Sequence, residues 1–412
     1  MFKPFLATLC TLILCFSSGR LWSVQVNNLY SATVPVVSQE SADRDAALNE
    51  ALISVLIKIT GQPDIASQSG IVETLLPAQR YVLTFSYSDN PDYLEYLRLE
   101  ELVAQQTPAT QAGNQAEQGL FDAIAAEAAA QVALPDERPL PYLLEASFSK
   151  AQVDEQLARL RIPVWGAVRP GVLVWLVDDS SGQREVIAAG HPHAEELKRR
   201  AEQYGLPLFF PVMDLQDISS VDVADLWGLF PDAVADASAR YRADSSLLIR
   251  LSAYGSELWR SSWVFDLRNT WINGQTQETS RDMVWDRVLR SMAREFSERY
   301  AVLKTPGSGD VLNLQVEGVS TFGSYVALRQ YLRGLPPVAR AEVLNLDRSR
   351  VTYAISLRGT EQQFREYLEL GGKMEPLQSD TVGVAASTVI LQGQDNVLSQ
   401  PFTLRYRWLK GL

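Results

Sequence analysis

Beyond residue 15 the sequence contains no cysteine: Cys10 and Cys15 are the two in the chain, both inside an apolar stretch at the N-terminus. The body of the protein can therefore form no disulfide and offers no thiolate to a metal or a substrate. Histidine is nearly as scarce, with His191 and His193 the two examples. Two imidazoles fall short of the three or four ligands a zinc site takes. The glycine fingerprints of common enzymes are missing as well. There is no G-x-S-x-G elbow, no P-loop, no dinucleotide-binding G-x-G-x-x-G and no H-E-x-x-H. Positive charge is short: 37 Lys and Arg stand against 49 Asp and Glu, a formal charge of −12. Nucleic acid, anionic lipid and other polyanions are bound by Lys/Arg neutralisation, so none of them suits this chain as a partner. After the first residues, no apolar run approaches the roughly 20 residues of a membrane-crossing helix.

The N-terminus reads as a secretory signal, residues 1–23. Lys3 supplies a short positive region, Phe5 to Phe16 an apolar one, and Ser17, Ser18 and Gly19 follow as small residues. The apolar stretch would span roughly 18 Å as a helix, short of the roughly 30 Å hydrocarbon core, so cleavage is expected rather than anchoring. Leu9 and Leu14 precede the cysteines where a lipoprotein box needs a small residue. Cleavage after Gly19 and after Ser23 both fit. The second removes Lys3 and Arg20, moving the formal charge from −12 to −14, and either removes both cysteines. The expectation is a periplasmic protein with no integral membrane segment and no cofactor.

Periodicity predicts an α+β fold of several small mixed units. The first, residues 24–168, opens with a strand in which Val26, Tyr30, Ala32, Val34 and Val36 share a parity. A helix from about Ser38 to Thr60 follows, with Leu48, Leu52, Val55, Leu56 and Ile59 on one face and Gly61 as its stop. Two alternating strands come next, Tyr81, Leu83, Phe85, Tyr87 and Tyr142, Leu144, Ala146, Phe148. They flank an Ala/Gln-rich insertion at 104–139 in which Leu120, Phe121, Ile124, Ala128 and Val132 have helical spacing. The second unit, 169–304, holds a continuous apolar strand Val172–Val177, a helix near 194–204, a buried strand Leu206–Met213, a strand through Trp259, Trp263 and Phe265, and a long helix from Trp285 to Tyr300. Residues 305–310 form a Pro/Gly-rich linker. The third unit, 311–412, has the order βαββα of a ferredoxin-like fold. Its second helix starts at the capping box Thr360-x-x-Gln363. A terminal hairpin is expected to pair Val384, Ala386, Thr388 and Ile390 with Phe402, Leu404, Tyr406 and Trp408, leaving an edge open to strand addition.

Three stretches carry a resemblance. They are Tyr30-Ser-Ala-Thr-Val-Pro35 with Arg44-Asp-Ala-Ala-Leu48 and Lys58-Ile-Thr-Gly61; Pro163-Val-Trp165 with Arg169-Pro-Gly-Val-Leu-Val-Trp175; and Gly205-Leu-Pro-Leu208, Pro211-Val-Met-Asp-Leu-Gln-Asp217 and Ala237-Ser-Ala-Arg-Tyr241. Over most of 24–300 the chain resembles the exported Gram-negative family catalogued as domain of unknown function 2066. The resemblance implies export and a shared fold, and it brings no catalytic residue.

The candidate site lies after the Leu206–Met213 segment, where Asp214 and Asp217 precede Asp222 and Asp225. Strand ends of this kind carry ligands in α/β sheets, and paired carboxylates hold Ca²⁺ or do acid/base work. The competing reading has Asp214 capping the next turn or pairing with Arg240 or Arg242. Trp165, Trp175, Trp227, Trp259 and Trp263 either floor a sugar or peptide groove or belong to the core. Asp214, Asp217, Trp227 and Arg240 together make the candidate ligand or partner site. Ser147-Phe-Ser-Lys150 matches S-x-x-K, but its serine falls on a strand and no K-T-G accompanies it. The function expected is a non-catalytic binding or assembly protein acting on other envelope proteins. The alternatives are an envelope enzyme acting on cell wall through Asp214 and Asp217, and a small-ligand-binding protein.

Overall fold

The computed structural model describes residues 24–106, 138–255, 257–267, 270–303, 311–370, 372–377 and 403–409. The signal segment, most of the insertion, the linker, the strand through Ile390, and Phe402 lie outside the described residues. The fold is α+β, as the periodicity predicts.

Strands β1 (Val24–Gln25), β2 (Ser31–Val36), β3 (Val82–Asp89) and β4 (Tyr142–Phe148) open the chain, and the last three form an antiparallel sheet of order β2-β4-β3. Helix α1 (Ser41–Thr60) lies across β2 and β4 and buries the expected stripe Leu48, Leu52, Val55, Leu56 and Ile59. Each aliphatic side chain so buried contributes about 1.5–3 kcal/mol. The alternation over Tyr81–Tyr87 does mark a strand, yet Leu83 is 66% and Phe85 46% exposed. β3 is an edge strand, and the helix packs on β2 and β4 instead. Helices α2 (Ile71–Leu75), α3 (Pro91–Gln106) and α4 (Lys150–Arg159) complete the unit.

The central sheet has the order β11-β10-β9-β6-β7: Trp271–Glu278, Trp259–Asp266, Ser245–Ala253, Val172–Asp178 and Glu185–Val186. The pair β5 (Val168–Arg169) and β1 leads into it. Every residue of β6 is buried because helices cover both of its faces. Helices α5 (Pro192–Glu202) and α9 (Arg281–Tyr300) pack on Val172, Val174 and Leu176. Helices α7 (Val223–Trp227) and α8 (Pro231–Ala239) pack on Leu173, Trp175 and Val177, together with Val221 at the end of α6 (Leu215–Ser220), which itself lies against α8. The expected strand Leu206–Met213 shrinks to β8 (Leu208–Phe209), which pairs with β6. Pro207 and Pro211 remove the N–H groups a longer ladder needs.

In the C-terminal unit, β12 (Val311–Glu317), α10 (Phe322–Gly334), β13 (Val338–Asp347), β14 (Arg350–Leu357) and α11 (Glu361–Leu370) follow the expected βαββα order. The capping box forms, Thr360 and Gln363 exchanging hydrogen bonds of 3.1 Å. The terminal strand differs from the expectation. β16 (Thr403–Trp408) runs parallel to β12 and sits between it and β15 (Met374–Pro376). Leu404 registers with Leu314 and Tyr406 with Val316, so the apolar residues of β16 fall on the buried face. Over Tyr406 and Arg407, β16 is paired on both sides, so among the described residues that stretch is interior to the sheet and not its open edge.

One buried cluster runs from Trp165 through Trp285 to Trp408, so the central and C-terminal units share a core. Arg299 clamps Glu366 with bonds of 3.0 and 2.8 Å, and Tyr367 donates to the Tyr300 carbonyl at 2.8 Å. The N-terminal unit has its own core and meets the rest at the Val164–Val302 bridge, at the pairs of Asp64 with Arg290 and Arg294, and at Arg169. This arginine is fully buried and finds no carboxylate among the described residues. Nε donates to Gly166 O at 3.1 Å, Nη1 to Tyr204 O at 3.0 Å and Gly205 O at 2.9 Å, and Nη2 to Trp165 O at 3.2 Å and to Lys58 O. The guanidinium also lies 3.9 Å from the centre of the Trp165 ring. Burial lowers its pKa to about 9, with Tyr367 and Tyr30 acting in the opposite direction, so it stays protonated at neutral pH.

Gly205 makes this contact possible. Its φ is +64°, and a Cβ there would lie 2.5 Å from Arg169 Nη1. Gly182 has φ +82°, and a Cβ there would meet nothing within 4 Å, which makes it the control. Gly205→Ala is expected to lower stability by about 2–4 kcal/mol, and Gly182→Ala by only about 1–2 kcal/mol, in urea denaturation.

Candidate functional site

The segment after β8 turns at Met213, whose φ of +55° is unusual for a side-chain-bearing residue. Asp214 is the N-cap of α6: its Oδ1 accepts from the N–H groups of Gln216 and Asp217, both at 3.1 Å. Arg240, just past α8, reaches back to both acids. Nη1 lies 2.7 Å from Asp214 Oδ1 and 2.8 Å from Asp217 Oδ1, and Nη2 lies 2.7 Å from Asp214 Oδ2. Asp217 is wholly buried, and its other oxygen accepts from Met213 N–H at 3.0 Å and from the Tyr241 hydroxyl. Tyr241 in turn accepts from Val212 N–H at 2.9 Å.

These contacts bring Asp214, Asp217 and Arg240 together as expected, but they satisfy the carboxylates internally. Arg240 holds Asp214 well below the usual carboxylate range, helped by the backbone N–H groups of Asp217 and Gln216. Burial, then the bond to Asp217, pushes Tyr241 up to about 12. An acid of this kind stays ionised and capped; it neither gives nor takes a proton near neutral pH. Among the described residues there is no group of three or more His, Cys, Asp or Glu placed to hold a metal ion. The cluster fastens the 212–217 turn to α8. Val212 in the turn, and Leu215 and Ile218 three apart on α6, are left 64%, 85% and 60% exposed.

Trp227, the fourth member of the candidate site, is half-buried at the end of α7 and joins a different constellation. Arg184 lies 4.3 Å and Arg250 5.8 Å from its ring centre, and Arg250 Nη1 donates to its carbonyl at 3.2 Å. Trp165, Trp175 and Trp263 are core residues, with Trp175 Nε1 donating to Ser238 Oγ at 2.9 Å. Trp259 is half-buried with Arg281 5.8 Å from its ring centre. His191 caps α5, its Nδ1 accepting from His193 N–H at 3.1 Å. His193 sits between Arg281, 2.7 Å from Nε2, and Asp178, 3.0 Å from Nδ1. The second contact is close but poorly aligned for a hydrogen bond. Arginine only donates, so Nε2 accepts and the ring proton sits on Nδ1. Ser147 lies on β4, bonded to Thr84 Oγ1 at 2.7 Å, and Lys150 pairs with Asp154 at 3.0 Å.

Sequence reasoning missed Tyr241, the backbone donors around Asp217, and Arg169. For Tyr241 the signal available was its position beside Arg240 in Ala237-Ser-Ala-Arg-Tyr241.

A family model described as a domain of unknown function, DUF8605, matches residues 23–166, so the N-terminal unit is similar to that family. The match ends just before Arg169. Comparison with curated proteins and with solved structures returned no match. Among the described residues, no helix is long and apolar enough to cross a membrane.

Asp214 has a folded-state pKa below its ordinary value of 3.8, so its contribution to stability is present above that value and is lost as pH falls through the folded one. The melting temperature of Asp214→Asn is therefore expected to lie below that of the parent at pH 7, the gap closing as the pH drops below about 4. Calorimetry from pH 7 to pH 3 checks this; a gap independent of pH would contradict it.

Proposed function

We propose that the protein is a non-catalytic periplasmic component of the bacterial cell envelope that binds or positions other envelope proteins. The observation that carries this reading is the row Val212, Leu215 and Ile218, held outward by the Asp214–Arg240–Asp217 cluster beneath it. An exposed apolar row on an ordered support is a feature of interaction surfaces. The following segment carries Asp222, Asp225 and Asp232, so the complementary partner presents apolar anchors with a basic surround. Export is supported by the Lys3 and Phe5–Phe16 pattern and by the resemblance to the exported 2066 family. The cell-wall enzyme reading has less support, because the carboxylates it needs are engaged by Arg240, Tyr241 and backbone N–H groups.

A photo-crosslinking residue at position 215 is expected to trap a discrete envelope protein in periplasmic fractions. Ile218→Glu is expected to abolish the adduct while leaving the melting temperature within about 1 °C, as exposed substitutions do. An adduct undiminished by Ile218→Glu, or fractionation of the chain with the cytoplasm, would overturn the proposal.

A further inference from the structure

Helices α6, α7 and α8 cover only part of their face of the central sheet. Beyond Trp227 that face continues across β9, β10 and β11, and the strand register fixes what it carries. Arg250 opposes Ser262, which opposes Gln275; Ser252 opposes Arg260, which opposes Gln277. Cross-strand partners point to the same side of a sheet, so Arg250, Ser252, Arg260, Ser262, Gln275 and Gln277 form one polar shelf. Contacts agree with the register: Arg250 Nη2 lies 3.5 Å from Ser262 Oγ, and Arg260 Nη2 donates to Gln277 Oε1 at 3.1 Å. Trp227 and Arg184 wall the shelf on the helix side.

The shelf gathers three arginines. Arg250 and Arg260 are diagonal neighbours on adjacent strands, roughly 7–8 Å apart by ordinary sheet geometry. Like charges at that spacing repel, and Arg184 adds a third. Some arginines meet carboxylates, as Arg200, Arg240, Arg281 and Arg299 do, and others, such as Arg329 on α10, meet an aromatic ring. Among the described residues none of Arg184, Arg250 and Arg260 forms an ion pair; each lies against an aromatic ring instead, Arg260 at 4.9 Å from the Tyr254 ring centre. Three uncompensated guanidinium groups on one face of a chain of net charge −12 call for an anion.

The geometry points to a binding site for a short sugar ligand bearing an oxyanion, carboxylate or phosphate. Arg250 and Arg260 take the oxyanion through their N–H forks. Ser262, Gln275 and Gln277 exchange hydrogen bonds with the sugar hydroxyls, and Trp227 closes one end. A small ligand with one or a few charges fits, whereas a long polyanion is repelled by the net charge. The site is separate from the apolar row at Val212, Leu215 and Ile218, so it stands or falls independently of the partner proposal.

The test is a titration of the full chain, followed by tryptophan fluorescence and calorimetry, with four probes: trigalacturonate, glucose 6-phosphate, maltotriose and inorganic phosphate. Saturable binding of trigalacturonate or glucose 6-phosphate is expected, tighter than either maltotriose or inorganic phosphate. Whichever of the two binds identifies the oxyanion as carboxylate or phosphate. Arg260→Gln and Arg250→Gln should each weaken it roughly tenfold or more, with the melting temperature of the exposed Arg260→Gln unchanged. Arg260→Gln and Arg184→Gln carry the test if Arg250→Gln does not fold. Failure of both charged sugars to bind, binding no tighter than that of maltotriose or phosphate, or binding indifferent to Arg260→Gln would overturn the proposal.

Discussion

A buried cation, Arg169, sits at the centre of the junction between the N-terminal unit and the rest of the protein, alongside the Val164–Val302 bridge, the Asp64 pairs with Arg290 and Arg294, and Ile57, which packs against both cores. Its five N–H donors meet five backbone carbonyls, from Lys58, Trp165, Gly166, Tyr204 and Gly205. Lys58 lies in the last turn of α1, and Tyr204 and Gly205 follow α5, so two helix ends with partial negative charge face the guanidinium. Burying a charge is costly unless every polar atom is matched, and here the match uses the whole donor set. Gly61 closes the same junction. Its φ of +66° ends α1, and a Cβ there would come within 2.3 Å of the Ser297 Cβ on α9.

Arg240 repeats the device at the surface, with carboxylates instead of carbonyls. Both arginines tie a turn or helix end to a neighbouring element, and both thereby fix a segment without a disulfide. That is how a chain with no cysteine beyond residue 15 holds an irregular stretch such as 210–217 in one conformation. Arg184, Arg250 and Arg260 follow a different pattern, each lying against an aromatic ring and none meeting a carboxylate among the described residues.

Much of the fold was legible because periodicity reports burial. The stripe on α1, the continuous run of β6 and the capping box at Thr360 each carry their structure in local spacing. Where the reading failed, the deciding contact was remote. Leu83 and Phe85 alternate like core residues, but α1 lies over the neighbouring strands. Leu206–Met213 is apolar like a strand, but its prolines cut the ladder to two residues. The position of β16 depends on β12, some 90 residues earlier by element bounds. At the site, Asp214, Asp217 and Arg240 were recognisable as neighbours, and Asp214's capping of the turn was foreseen as one of two readings. The burial of Asp217 was not, since nothing in the sequence distinguishes a sealed carboxylate from a reactive one. The arginine shelf was invisible for a related reason: it is assembled by register across β9, β10 and β11.

The central claim is that one buried guanidinium makes two separate cores behave as one structure. Differential scanning calorimetry of Arg169→Met tests it most directly, because methionine keeps the volume and removes all five donors. The account predicts a single transition for the parent chain and two for the variant, the N-terminal unit melting first on its own core. A variant that melts in one transition at the parent's temperature would contradict it.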